Sequence, residues 1–305
     1  MATSDVCQTY IQVTSHYKPI LMKNSFIIIT LIIFSNSFSQ NSFFGSRLDT
    51  DRRISKIKES SVKVLIDNKK SGTGFFISSD GLLVTNWHVV INKRLKLDEK
   101  KRILNKFSIV TVKNDTIPVN IVLNLNDDAV VKEAILWDYC LLKSTINVKT
   151  NFLKLGQFQN AYEGASVYTC GYPLDLDNPL ITTGILSTFA TQSQEINSQK
   201  IERKIAWLDM TTNKGNSGGA LVLLGNTPDD DEVIGITSFI TVPFFKDLEA
   251  INNYATEAEK HGEMIFMGIN FLSYIKLINN AANSNSVGIS GCISIEKVVE
   301  FIKKK

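Results

Sequence analysis

Gly215-Asn216-Ser217-Gly218-Gly219 sets a single serine inside a turn that a glycine-rich backbone is suited to make. Glycines on both sides let the chain bend sharply and gather its N–H groups, as stabilising a tetrahedral oxyanion requires. Ser217 then stands at the apex with its hydroxyl presented. A bare GxSGG string also describes an ordinary Gly/Ser loop, so the partners elsewhere in the chain decide between the two.

A serine hydroxyl is a weak nucleophile at neutral pH and needs a general base, most often histidine. The chain has three histidines. His16 falls in a leader-like segment and His261 in a charged Lys/Glu stretch. His88 ends the run Ser71 to His88, which reads as a hairpin: Phe75, Phe76 and Ile77 form one apolar strand, Ser79-Asp80-Gly81 the turn, and Leu82 to Val84 the return strand. A carboxylate should hold the other imidazole nitrogen. Of the five aspartates between residues 90 and 145, Asp98, Asp115, Asp127 and Asp128 read easily as solvated loop residues. Asp138 interrupts Ala134-Ile135-Leu136-Trp137 and Tyr139-Cys140-Leu141-Leu142, where an unpartnered carboxylate would be costly to bury. Pairing with His88 gives it a reason; the other reading is a period-2 alternation that turns it to solvent at a sheet edge.

The order His88, Asp138, Ser217 in these contexts resembles the trypsin-like (chymotrypsin-fold) serine peptidases, most closely their HtrA/DegP-type bacterial branch. The matching segments are Gly72-Thr73-Gly74-Phe75 through Thr85-Asn86-Trp87-His88-Val89-Val90, then Asp138 to Lys143, then Asn213 to Leu221. Gly171-Tyr172-Pro173, Thr183-Gly184-Ile185-Leu186-Ser187 and Val233-Ile234-Gly235-Ile236 are weaker marks in the same order. The resemblance implies an all-β fold of two six-stranded antiparallel β-barrels with the active site between them. It implies a serine endopeptidase acting on polypeptides, unfolded or exported ones, through a His-Asp-Ser triad and an acyl-enzyme, with the N–H groups of Gly215 and Ser217 as oxyanion hole. Substrate contacts are implied at Thr211, Thr212 and Lys214 and along Ile236-Thr237-Ser238. None of the threonines or strand residues is charged, which favours small or medium apolar side chains before the cut. Asp209 could serve as a pocket carboxylate, but an aspartate there does not confer basic specificity in this branch. No metal or organic cofactor is implied. The alternative is a trypsin-like scaffold that binds peptide, chaperone-like, with little or no catalysis.

Composition agrees. Short apolar strands at about 10-residue spacing fill residues 60–240, as in barrels rather than alternating βα units. The formal charge of +3 is too small and dispersed to indicate nucleic acid. The first barrel is expected over about 58–145 and the second over about 150–272, within a protease domain 40–305 that ends in helices over 273–305. Gly268-Ile269-Asn270-Phe271-Leu272 reads as the closing strand, with Asn270 where the branch usually has glycine. Thr241 to Glu263 is an insertion carrying a short charged helix, either a rim element for substrate or partner or a solvated excursion. The residues after Phe271 are fewer than a PDZ module needs.

Residues 1–39 read as a leader. Within it, 22–39 have the basic, apolar and small-residue zones of a secretory signal, cut near Ser39, so the mature protein is expected in the periplasm or secreted without a membrane span. Translation starting at Met22 and a leader retained as an anchor both stay open, as does a homo-oligomer. Cys140, Cys170 and Cys292 lie among apolar residues and read as buried small hydrophobes.

Overall fold

Helix α1 (Arg47–Ser60) starts where Ser46 accepts a hydrogen bond from Asp49 N, and it leads directly into strand β1 (Ser61–Ile66). The computed structural model describes residues 43–91, 96, 98, 103–174, 176–196, 199–240, 245–262, 265–266, 268–284 and 288–304; the leader and its signal-like segment 22–39 lie outside them. Asp67 and Asn68, both at positive φ, turn β1 back into β2 (Lys69–Phe76), the two-residue hairpin geometry that Asp and Asn tolerate. Gly81, at φ +84°, turns β2 into β3 (Leu82–Thr85), with Phe75 opposite Val84 and Phe76 opposite Leu83. This is the hairpin expected ahead of His88. A single helical turn, α2 (Trp87–Val90), follows β3. Strands β4 (Phe107–Val110) and β5 (Thr116–Ile121), helix α3 (Asp128–Leu136) and strand β6 (Cys140–Ser144) complete the first half. The six strands close into an antiparallel barrel in the order β1-β2-β3-β6-β5-β4.

The second barrel is built from β7 (Ser166–Gly171), β8 (Leu180–Ile196), β9 (Gln199–Asp209), β10 (Ala220–Leu223) and β11 (Glu232–Ile240). Its sixth strand is not the one expected. After β11 come α4 (Phe245–Glu259), a two-stranded hairpin of β12 (Ile265–Phe266) and β13 (Ile269–Asn270), and α5 (Phe271–Ser284). Only then does β14 (Ile289–Ser294) pair with both β9 and β11 and close the barrel as β7-β8-β9-β14-β11-β10. The second barrel therefore extends past 272, and 273–305 holds α5, β14 and the final helix α6 (Glu296–Lys303). A closing strand must bury residues inside, as β14 does with Cys292 and Ile293, whereas Ile265 and Ile269 are exposed. Asn270 instead starts α5, its Oδ1 accepting from Ser273 N. The segment between β11 and β14, longer than the expected insertion 241–263, contains two helices held together by Ala255, Leu272 and Ile275. Among the described residues, no helix is long and apolar enough to cross a membrane.

The interior of the first barrel is filled by Val62, Val64, Phe75, Leu83, Ile109 and Leu141, that of the second by Val167, Leu186, Leu208, Leu221 and Ile234. Each such side chain contributes about 1.5–3 kcal/mol by leaving water. Cys140, Cys170 and Cys292 are buried free thiols, and burial pushes the last two up to about 12.

Helix α3 determines where Asp138 goes. Asp127 caps its start, accepting from Ala129 N and Val130 N. At its end Tyr139 N donates to Ala134 O and Asp138 N to Ile135 O, a Schellman turn with Asp138 at φ +44° where glycine is usual. Asp138 is thus the residue that ends a helix, and does not interrupt an apolar strand. Since a Cβ in the left-handed region costs about 1 kcal/mol, Asp138→Gly is expected to be more stable than Asp138→Ala by about that amount in urea denaturation.

Helix α1 is tied down by Arg53. Its Nε lies 2.8 Å from Asp231 Oδ2 and its Nη2 2.7 Å from Gly225 O, while Tyr168 OH also donates to Asp231 at 2.7 Å. The Arg53 and Asp231 side chains are 2% and 4% exposed, whereas the neighbouring Arg52–Asp229 pair is 51% and 75% exposed. Arg53→Met is therefore expected to cost about 3 kcal/mol of unfolding free energy by leaving a buried carboxylate short of its countercharge. Arg52→Met should cost under about 1 kcal/mol.

Candidate active site

His88 is delivered by the turn that follows β3. Its Nδ1 lies 2.9 Å from Asp138 Oδ2 and 3.0 Å from Oδ1, and its backbone N–H donates to Oδ1 at 3.0 Å. Ser238 Oγ donates to Oδ2 at 2.7 Å. Asn86, fully buried, donates from Nδ2 to Asp138 O at 2.8 Å. The carboxylate is thus held by several donors while its side chain is only 13% exposed; the imidazole is 48% exposed. With Nδ1 bonded to the carboxylate, a neutral ring carries its lone pair on Nε2.

Ser217 sits in the loop between β9 and β10, and this loop is bound to both barrels. Thr73 N, on β2, donates to Ser217 O at 2.9 Å, and Thr73 Oγ1 donates to Gly215 O at 2.7 Å. Gly218 N donates to Thr237 O at 2.8 Å, and Thr237 N to Gly219 O at 2.9 Å. Gly218 adopts φ +89°, and a Cβ there would lie 2.0 Å from Thr73 O, so the seam admits only glycine. Gly72 marks how near the segments carrying His88 and Ser217 come: a Cβ on it would lie 2.7 Å from Val89 Cγ2 and 2.9 Å from Ser217 O. Ser217 Oγ donates to Ser238 O at 3.2 Å, and among the described residues no hydrogen bond joins it to His88.

Two peptide planes in this loop are fixed by their carbonyls. Lys214 O accepts from Leu174 N at 3.0 Å, and Asn216 O accepts from Gly219 N at 2.9 Å. Because C=O and N–H point opposite ways across a trans peptide, these bonds turn the N–H of Gly215 away from Leu174 and that of Ser217 away from Gly219. Neither donates to a protein acceptor among the described residues.

The other expected residues separate. Thr211 and Lys214 are exposed; Thr212 is fully buried, its Oγ1 without a hydrogen-bond partner among the described residues. Ile236 pairs with Ala220 and Ile293, and both backbone groups of Thr237 are bonded to Gly218 and Gly219. The expected strand for an added peptide is therefore corrected: the edge of β11 is committed through Thr237. Ser238 binds Asp138, a contact that sequence spacing of 100 residues could not reveal. Asp209 is exposed on β9. Cys140 opens β6, whereas Asp138 precedes that strand in the helix-ending turn.

Serine protease HTRA1 of Xenopus tropicalis is 33% identical over 169 residues, covering 55% of this chain and 31% of its own length. Serine protease HTRA4 of Homo sapiens is 30% identical over 195 residues, covering 63% of this chain and 35% of its own. The chain thus spans about a third of the length of these curated relatives. Among solved structures, the HtrA-type protease AlgW with tripeptide superposes with a TM-score of 0.54 at 18% identity, covering 83% of this chain and 62% of that one, a likeness of fold. The model of the trypsin-like peptidase domain matches residues 72–236, more than half of the 305, and the chain belongs to that family.

Proposed function

We propose that this protein is a serine endopeptidase in which Ser217, His88 and Asp138 act as nucleophile, general base and orienting carboxylate. Ser217 Oγ attacks a peptide carbonyl carbon as its proton passes to His88 Nε2, and the carbonyl oxygen becomes an oxyanion received by the N–H groups of Gly215 and Ser217. His88 then gives the proton to the departing amine, leaving an acyl-enzyme that water hydrolyses by the reverse sequence. The observation that carries this reading is the Asp138-bound imidazole, with Nδ1 2.9 Å from the carboxylate, beside a glycine-bounded serine loop with two unengaged N–H groups. For catalysis the Ser217 hydroxyl must leave the Ser238 carbonyl and donate to His88 Nε2 instead.

A peptide substrate would add along β11 from Ser238 onward, since the backbone of Thr237 is engaged. The substrate contacts expected at Thr211 and Thr212 carry no charge, which favours small or medium apolar side chains before the cut. The leader reading adds an exported location. One observation favours the non-catalytic alternative, a peptide-binding scaffold: Ser217 Oγ is bonded to Ser238 O.

Fluorophosphonate labelling separates the two. Stoichiometric modification at Ser217 is expected, lost in Ser217→Ala and strongly reduced in His88→Ala; a folded wild type that stays unlabelled, with unfolded protein present as activator, supports the scaffold. On a peptide library, Asp138→Asn is expected to lower kcat by about 10⁴-fold, with cleavage after small apolar residues in the wild type. Cleavage after Arg or Lys would overturn the pocket assignment.

A further inference from the structure

Four carbonyls at the end of α3 need partners once the helix stops. Glu133 O takes Trp137 N, Ala134 O takes Tyr139 N and Ile135 O takes Asp138 N, all within the turn. The fourth, Leu136 O, accepts from Arg203 Nη1 at 2.9 Å. Arg203 belongs to the other barrel. It lies on β9 where the β8–β9 ribbon has outrun its neighbours: β7 pairs with β8 only as far as Ile185, and β14 with β9 only from Ile205, yet β8 and β9 stay paired out to Ile196 and Gln199. On that overhang Arg203 stands directly opposite Gln192, whose Oε1 accepts from both Nε, at 2.8 Å, and Nη2. The guanidinium is therefore gripped at one edge and reaches across with the other. Half-burial pulls its pKa down, and the nearby negative charge of Asp138 opposes that, so a desolvated cation is kept beside the carboxylate. A cation at a helix C-terminus also complements the helix dipole.

We propose that Arg203 is a positioning residue: by capping α3 at Leu136 from the overhanging ribbon of the second barrel, it fixes the turn that presents Asp138 to His88. The inference rests on the peptidase reading for its kinetic readout, and adds that the orienting carboxylate is set by a residue outside the matching motifs. Nothing else supplies Leu136 O with a charged donor among the described residues. Asp138 is held in a left-handed conformation, and such conformations persist where surrounding contacts over-determine them.

The test compares Arg203→Met, Arg203→Lys and Gln192→Ala with wild type by kcat, KM, thermal midpoint and the low-field proton NMR signal of an imidazole N–H bonded to a carboxylate. Arg203→Met is expected to lower kcat about 10-fold with KM within about two-fold, as small misplacements of reacting groups do, and to broaden the low-field signal. Arg203→Lys, which keeps a cationic donor, should recover most of the loss, and Gln192→Ala should fall between. Unchanged kcat and signal in Arg203→Met overturn the proposal, as does a loss that Arg203→Lys leaves in place or that appears in KM instead. Should Arg203→Met not fold, Gln192→Ala decides, and wild-type kcat and signal there overturn it. A wild type without turnover would sink the peptidase reading separately, and the NMR signal alone then decides the role of Arg203.

Discussion

Thr73 is the point from which the cleft is measured. It is a fully buried residue of the first barrel, yet its N–H and hydroxyl bind Ser217 O and Gly215 O of a loop from the second, and the same hydroxyl accepts from Tyr172 N at 3.0 Å. Its carbonyl takes Thr85 Oγ1, on the strand that leads to His88. Hydrogen bonds are directional where apolar contacts are not, and a buried donor or acceptor left without a partner costs about 1–3 kcal/mol. The relation between the His88 and Ser217 segments is therefore set by the register of β2. Gly72 and Gly218 follow from this, since the two backbones approach too closely for a Cβ.

The three side chains of the proposed triad stand at the ends of regular elements: His88 in the single turn that follows β3, Asp138 past α3, Ser217 before β10. Such positions combine a rigid support with a backbone free to take uncommon angles. Asp138 shows the cost side of this, a carboxylate occupying a glycine-type position because its backbone carbonyl, both carboxylate oxygens and the preceding helix end are all engaged.

Much of this was legible in the residues. The hairpin before His88 had its turn signal, Ser79-Asp80-Gly81, and apolar flanks, so a local rule sufficed. The Ser217 turn announced itself by its glycines. Asp138 was found for an incomplete reason: it stood out among apolar neighbours, but those neighbours are partly helix, a fact signalled by Asp127 as a cap ahead of Ala129-Val130-Val131. The closing strand was missed because Gly288-Ile289-Ser290-Gly291-Cys292-Ile293-Ser294 has the weaker apolar pattern, and Gly268-Ile269-Asn270-Phe271-Leu272 the more strand-like one. Pairing partners decide a barrel strand, and partners are not a local property. For the same reason the contacts of Ser238 and Arg203 to the Asp138 turn lay beyond spacing arguments.

The insertion between β11 and β14 separates two strands that are hydrogen-bonded neighbours. Lengthening a connection raises closure entropy only logarithmically, about 0.6 kcal/mol per doubling, so so large an excursion is thermodynamically tolerable at equilibrium. Kinetically it is different. All six strands of the first barrel emerge consecutively between Ser61 and Ser144, whereas the second cannot shut until Ile289–Ser294 has left the ribosome. The two halves should therefore mature in sequence, the amino-terminal one early and from nearer contacts. Through that interval the ladder edges of β9 and β11 stay unpaired, so the order of synthesis itself delays assembly of the cleft.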